Sequence, residues 1–302
     1  MNLAITGANS GVGRILLRHL AERTNANVVA CVRSMRSADS LPTSPAISVR
    51  AVDYGDRDGL ADALTAGCVV VHLAGILFES PTSSYQTANI DTTQAVMEAC
   101  KKAGVRFVLL VSALGADPRA ANRYRRSKGM AEQIVSGSGL AAAIIRTPIL
   151  LGPGMAATRA VVHAASRRAV TLLGGGRHVI RPLDVDDLSR AILRWCENPR
   201  GGVSTYELVG PEPTAYREVI TRTAAMLGRD VSIRSMPIWL AKLGAAASGW
   251  TRRGGMTPTI IDVITASETV RANADGELGV TLTPLSTTLE NLLRSERLCV
   301  PS

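Results

Sequence analysis

Leu3-Ala4-Ile5-Thr6-Gly7-Ala8-Asn9-Ser10-Gly11-Val12-Gly13 is the stretch on which the fold turns. A short apolar run ends at Thr6, three glycines follow with three and then one residue between them, and Ile15, Leu16, Leu17 and Leu20 continue at helical spacing. This is a strand, a tight turn and a helix in immediate succession. Gly7 permits the turn, Gly11 removes a side chain where backbone must approach a pyrophosphate, and Gly13 lets helix and strand pack closely. The amides at the start of the helix then suit an anion. Thr6, Asn9, Ser10 and Val12 complete the expected phosphate loop.

The same alternation continues along the chain. Apolar runs at 28–32, 47–52, 69–74, 107–112 and 142–146 are separated by segments at 13–23, 59–66, 90–103 and 128–136 whose apolar residues fall at helical spacing. Six strands alternating with helices predict an α/β protein: a Rossmann-type, doubly wound parallel sheet with helices on both faces. Residues 1–150 read as the nucleotide-binding domain. After Arg146 the pattern loosens at Gly152-Pro153-Gly154 and Gly174-Gly175-Gly176, and residues 151–302 read as a smaller mixed lobe, partly interleaved with the sheet. Helices are expected at 186–196 and 215–227, and strands near 206–209 and 231–234.

Composition narrows the function. The chain has 302 residues, 46% of them hydrophobic and only 3% aromatic, so platforms for stacking bases are scarce. A formal net charge of +9 comes from scattered arginines without a nucleic-acid motif, so no nucleic-acid partner is expected. Cys31, Cys68, Cys100, Cys196 and Cys299 are odd in number and mostly embedded in apolar runs, which reads as reduced core thiols. No pair of cysteines or histidines has metal-ligand spacing, and no metal is expected. The start of the chain has no basic leader before an apolar core, so a cytoplasmic protein is expected, with a peripheral place at the inner face of a membrane compatible with its charge. The segment 237–250, with Trp239, Leu240, Leu243 and Trp250 beside Lys242, Arg252 and Arg253, reads as a helix packed on its own lobe or lying at an interface.

The strand ends carry the ligand chemistry. The second strand ends in Arg33-Ser34 where an NAD-preferring site would place Asp or Glu, which favours NADP(H), with NAD(H) as the alternative. An Arg33 that stacks on adenine or points to solvent is the competing explanation. Asp53, followed by Tyr54, closes the third strand and is placed to accept from an adenine amino group. Leu73-Ala74-Gly75 closes the fourth, beside the expected adenosine ribose.

With His72-Leu73-Ala74-Gly75, Ser112 and Tyr124-Arg125-Arg126-Ser127-Lys128, these motifs resemble the short-chain dehydrogenase/reductase superfamily over nearly the whole chain. Arg146-Thr147-Pro148, Gly152-Pro153-Gly154 and the run Arg181-Pro182-Leu183-Asp184-Val185-Asp186-Asp187-Leu188 look like its extended and atypical branches. Leu278-Gly279-Val280 with Pro284 and Leu289 is similar to atypical members related to the 39-kDa accessory subunit of respiratory complex I. The glycine spacing itself is more usual in the single-domain enzymes.

The resemblance implies Tyr124 as acid/base, Lys128 lowering its pKa and holding the nicotinamide ribose, Ser112 polarising a carbonyl, and Asn89 as a structural asparagine. It also places Thr147 and Pro148 among the cofactor contacts. Residues four apart share a helix face, so Tyr124 and Lys128 can meet around one ligand. Asp186 and Asp187 are better explained as charges at a helix N-terminus than as acid/base groups.

Two functions stay open: an NADP(H)-dependent oxidoreductase moving hydride to or from a carbonyl or quinone-type small molecule, and an accessory or sensor subunit that only holds the nucleotide in a larger quinone-related or respiratory assembly. Sugar-nucleotide epimerisation with retained NAD would use the same triad, but Arg33 argues against it. The basic C-terminal lobe leaves room for a protein-assembly or membrane-surface contact. Segments 77–85, 149–159 and 173–181 are expected to line the substrate side.

Overall fold

The strand runs become a single parallel sheet whose central strands are buried on both faces and whose two edge strands are partly exposed. A computed structural model describes residues 1–302 apart from 24, 65–67, 248–255 and 299–302. Its strands are β1 (Asn2–Thr6), β2 (Asn27–Val32), β3 (Ile47–Ala51), β4 (Val69–His72), β5 (Phe107–Ala113), β6 (Ala141–Thr147), β7 (Leu150–Leu151), β8 (Ala169–Leu173), β9 (Val179–Ile180), β10 (Leu183–Asp184), β11 (Val203–Glu207), β12 (Thr214–Ala215) and β13 (Ser232–Met236). Its α-helices are α1 (Gly11–Ala21), α2 (Arg57–Asp62), α3 (Thr92–Lys102), α4 (Arg123–Ser136), α5 (Ala156–Ala165), α6 (Val185–Glu197), α7 (Tyr216–Met226), α8 (Ile238–Ala247), α9 (Pro258–Ile264), α10 (Asp275–Leu278) and α11 (Leu285–Leu298).

Seven strands form the main sheet in the order β11-β6-β5-β4-β1-β2-β3, every neighbour parallel. This is the Rossmann-type architecture that the alternation predicts. Period-two alternation sorts the side chains: Leu3 and Ile5 face a core shared with Leu16, Leu17 and Leu20 of α1 and Leu188 and Ile192 of α6. Ala4, Val70, Val108 and Ile144 face the opposite core, filled by Leu60, Val96 and Val135 of α2, α3 and α4. The strand order reverses between β1 and β4, and that switch point opens a crevice at the carboxyl ends of those strands.

Past residue 150 the chain both extends the sheet and builds a second cluster. β11 pairs along β6, from Val203 opposite Ala142 to Glu207 opposite Arg146. The parallel ribbon of β8 and β13 packs Val170, Leu172 and Ile233 against Ile220 and Ala224 of α7. Asp187 at the start of α6 is fully buried, accepting from the Thr283 amide at 2.7 Å and the Thr283 hydroxyl at 2.8 Å, while Asp186 meets His19 at 2.8 Å. Both serve packing and helix-end electrostatics. Cys31, Cys68, Cys100 and Cys196 are buried and form no disulfide among the described residues, and Cys299 lies outside them. Among the described residues no helix is long and apolar enough to cross a membrane.

Candidate functional site

The glycines after β1 set the crevice floor. Gly7 has φ +69°, and a Cβ there would sit 2.7 Å from the Ala74 amide nitrogen after β4, so the turn needs glycine for conformation and for space. A Cβ on Gly13 would come within 2.4 Å of the Ala8 carbonyl, which is the close helix–strand approach expected. At Gly11 the nearest neighbour is the terminal methyl of Met155, 2.2 Å from the same hypothetical atom; the sequence reading left that position open for a ligand alone. Ser10 caps α1 by accepting from the Gly13 amide at 3.0 Å. Among the described residues the amides of Gly11 and Val12 find no protein acceptor, which fits a phosphate group at the helix end.

Gly7, Asn9, Ser10, Arg33, Tyr54, Leu73, Ala74 and Gly75 line one cleft, together with Cys31, Ile76, Ala88 and Thr92, four positions that carry no motif. Other expected contacts are not among its lining residues. The Asp53 carboxylate closes a local turn by accepting from the Gly55 amide at 2.8 Å, and Ser34 caps a short helix by accepting from Arg36. Thr147 donates to the Ser112 carbonyl at 3.2 Å, and Pro148 is buried. Arg14, absent from the sequence reading, bonds the Asn9 carbonyl at 2.9 Å and braces the loop.

Asn89 ties the cleft together. It sits in a wide turn of helix, Gln86–Asp91, with the π-type spacing often found at functional positions. Its amide accepts from the Ile76 backbone at 2.7 Å and donates to Ser127 Oγ at 2.9 Å, and Ser127 in turn donates to the Tyr124 carbonyl at 2.8 Å. One asparagine thus fixes the loop after β4 to the helix that carries the catalytic candidates. Beneath it His72, fully buried, meets Thr6 Oγ1 at 2.6 Å through Nδ1 and Thr93 Oγ1 at 3.0 Å through Nε2. Burial, and then the Lys128 charge, push the His72 pKa down to about 3, so the ring is neutral. The sequence offered His72 only as part of the 72–75 motif and gave no signal for Thr93, because their partnership spans distant elements.

Ser112, Tyr124 and Lys128 are brought to the same region. Lys128 is buried and donates to the Val111 carbonyl at 2.9 Å, one residue before Ser112. Gly129 lets α4 press on the 117–118 backbone, where a Cβ would lie 2.2 Å from the Asp117 carbonyl carbon. Ser112 Oγ is buried and has no hydrogen-bond partner among the described residues, an arrangement that invites a polar atom from a ligand. Tyr124 stands against Tyr85, their ring centres 5.9 Å apart, and Tyr85 donates to the Leu77 carbonyl at 2.8 Å. Burial and the neighbouring Tyr85 push the Tyr124 hydroxyl up to about 12, against the Arg125 guanidinium. Burial pushes the Lys128 amine down to about 8, with Glu132 opposing. No hydrogen bond joins Tyr124 to Lys128 among the described residues, so the lowering of the tyrosine expected from the resemblance is absent from this arrangement.

Fold and cleft together define a Rossmann-type dinucleotide-binding protein. Residues 7–172 match the NAD(P)H-binding family model, and the chain belongs to that family, within the atypical short-chain dehydrogenase/reductases. It is 26% identical to the ceramide reductase of Caulobacter vibrioides over 88% of this chain and 83% of that one. It is also 26% identical to the mouse mitochondrial NADH dehydrogenase [ubiquinone] 1 alpha subcomplex subunit 9, over 81% of this chain and 66% of the relative, so it spans just under two thirds of that subunit. Among solved structures, the NADPH-dependent quinone oxidoreductase QOR2 of Escherichia coli superposes with a TM-score of 0.76 at 21% identity, covering 96% of this chain and 99% of that one. MoeE5 bound to UDP-glucuronic acid and NAD gives a TM-score of 0.76 at 23% identity, over 99% and 100%. Both likenesses support the fold.

Proposed function

We propose that this protein is an NADP(H)-dependent reductase of a carbonyl or quinone-type small molecule, with residues 1–150 carrying the cofactor and 151–302 shaping the substrate side. The unpartnered, buried Ser112 hydroxyl is the observation that carries this reading. At the end of β5, next to the Val111 carbonyl that Lys128 binds, this hydroxyl is placed to donate to an oxygen of a bound molecule. The cradle of Gly7, Gly11, Gly13, Asn9 and Ser10 would hold the pyrophosphate, and Arg33, which lines the cleft without an ion-pair partner among the described residues, favours a 2′-phosphate. When bound, the nicotinamide supplies hydride. Ser112 donates to the substrate oxygen, Tyr124 delivers the hydroxyl proton, and Lys128 turns its ammonium from the Val111 carbonyl toward the ribose and the tyrosine.

Purified protein incubated with NADPH and a panel of quinones, ketones and aldehydes should consume NADPH with at least one of them, and Tyr124→Phe should abolish that loss. The likeness to the mouse mitochondrial subunit favours a second reading, in which the nucleotide is structural. Tight NADPH binding with no consumption across the panel, unchanged in Tyr124→Phe, would select it.

A further inference from the structure

We propose that the outer face of α8 docks on an anionic lipid surface and so presents the cleft to a lipophilic, long-chain carbonyl or quinone; the substrate part rests on the reductase reading above. α8 holds one charged residue, Lys242, among ten, and a helix apolar nearly all round belongs in an interior. Here only one side is covered. Ile238 packs toward Gly174 and Ala245 is buried, whereas Trp239, Leu243 and Leu240 are 64%, 60% and 48% exposed. Positions 239, 240 and 243 share one helix face. The strip continues onto β13, where Met236 lies on the outer side of the ribbon, 38% exposed, with Arg234 two residues before it on the same side.

Charge identifies the occupant. Residues 229–247 contain three basic residues, Arg229, Arg234 and Lys242, against a single acid, Asp230. Lys242 is tied to Asp262 at 2.5 Å, while Arg234 and Arg229 have no carboxylate partner among the described residues. A second copy on this face would set these cations against their own kind. A bilayer with anionic headgroups attracts nearby cations and accepts a tryptophan at its interface. The position of the face points to the substrate. α8 packs on α9, α9 packs on α4, and Asn122, two residues before Tyr124, donates to the Thr259 carbonyl at 2.9 Å. The start of α8 also abuts the 174–176 loop, in a segment expected to line the substrate side. Between a molecule at this face and α4, which carries the proposed proton donor, lie α8 and α9.

The full chain is sedimented with vesicles of phosphatidylcholine alone and with an equimolar phosphatidylcholine–phosphatidylglycerol mixture. Binding is expected to the mixture, weakening as salt rises from about 0.1 to about 1 M and the Debye length falls from about 10 to about 3 Å. Trp239→Glu combined with Leu243→Glu should lower binding about tenfold or more while leaving the melting temperature and NADPH affinity unchanged. Equal binding to both vesicle types overturns the anionic assignment. So does a wild-type dimer that the double variant converts to monomer. For the substrate, the double variant should reduce a vesicle-embedded long-chain ketone about tenfold more slowly and a short soluble ketone at the wild-type rate. Equal losses on both overturn the lipophilic-substrate inference. Vesicle binding with no reduction of either ketone upholds the docking surface and overturns the reductase reading.

Discussion

Substituting His72 by Asn should flatten the acid side of the stability profile, because the buried ring must take up a proton that the fold excludes. In the folded chain His72 titrates near 3, against 6.5 for an unburied histidine, with burial as the main cause and the Lys128 charge second. The unfolded chain therefore binds one more proton than the folded one between these values. The stability tied to the neutral ring is present above 6.5 and is lost as pH falls from 6.5 toward 3. At pH 5 the unfolded side chain is almost fully protonated and the folded one is not, a span of roughly 1.5 pH units, which converts to a loss of about 2 kcal/mol relative to pH 7. Asn keeps a donor and an acceptor for Thr6 and Thr93 but has no proton to gain. Urea unfolding of both proteins at pH 7 and pH 5 checks this: the wild type should lose about 2 kcal/mol more than the variant across that interval. Identical losses would refute the buried, neutral histidine as the source, whatever the absolute stability of the variant.

Tyr124→Phe should reduce kcat roughly 10²- to 10⁴-fold while NADPH titration gives nearly the wild-type Kd, since the hydroxyl moves a proton without carrying the cofactor. Arg33→Ala should weaken NADPH by about 1.5–3 kcal/mol, the worth of hydrogen bonds to a charged group, and NADH far less; equal losses measured by fluorescence titration would remove the 2′-phosphate assignment. Gly13→Ala forces a methyl to 2.4 Å from the Ala8 carbonyl, and the overpacking should lower the urea midpoint by the equivalent of about 1–3 kcal/mol.

Much of this molecule was legible from local pattern. Period-two and helical spacing located the six strands of the first half to within a residue or two, because the inner strands are buried on both faces and keep their apolar runs, while the edge strand β3 keeps Ile47 and Val49 in alternation. The turn at Gly7 and the close packing at Gly13 were legible because both act within the strand, turn and helix that contain them, whereas the approach of Ala74 to Gly7 comes from the loop after β4. The 206–209 run was recognised as a strand, but its place at the sheet edge beside β6 depends on a pairing across some sixty residues, which no local pattern specifies. The same reason hid the buried bonding of His72, whose partner Thr6 is 66 positions away, and the cleft positions Cys31, Ile76, Ala88 and Thr92, which are ordinary residues until folding aligns them. The covering of Gly11 by Met155 and the bond from Lys128 to Val111 likewise join separate elements.

By itself the sequence determined a doubly wound parallel sheet with a phosphate loop at its first strand, since backbone conformation and side-chain alternation are properties of neighbouring residues. Tertiary structure alone decided which polar atoms would be left without partners, how burial moves the Tyr124, Lys128 and His72 protons, and that α8 keeps Trp239 and Leu243 in water. Those are consequences of what surrounds a side chain, and the surroundings are supplied by chain segments far away in sequence.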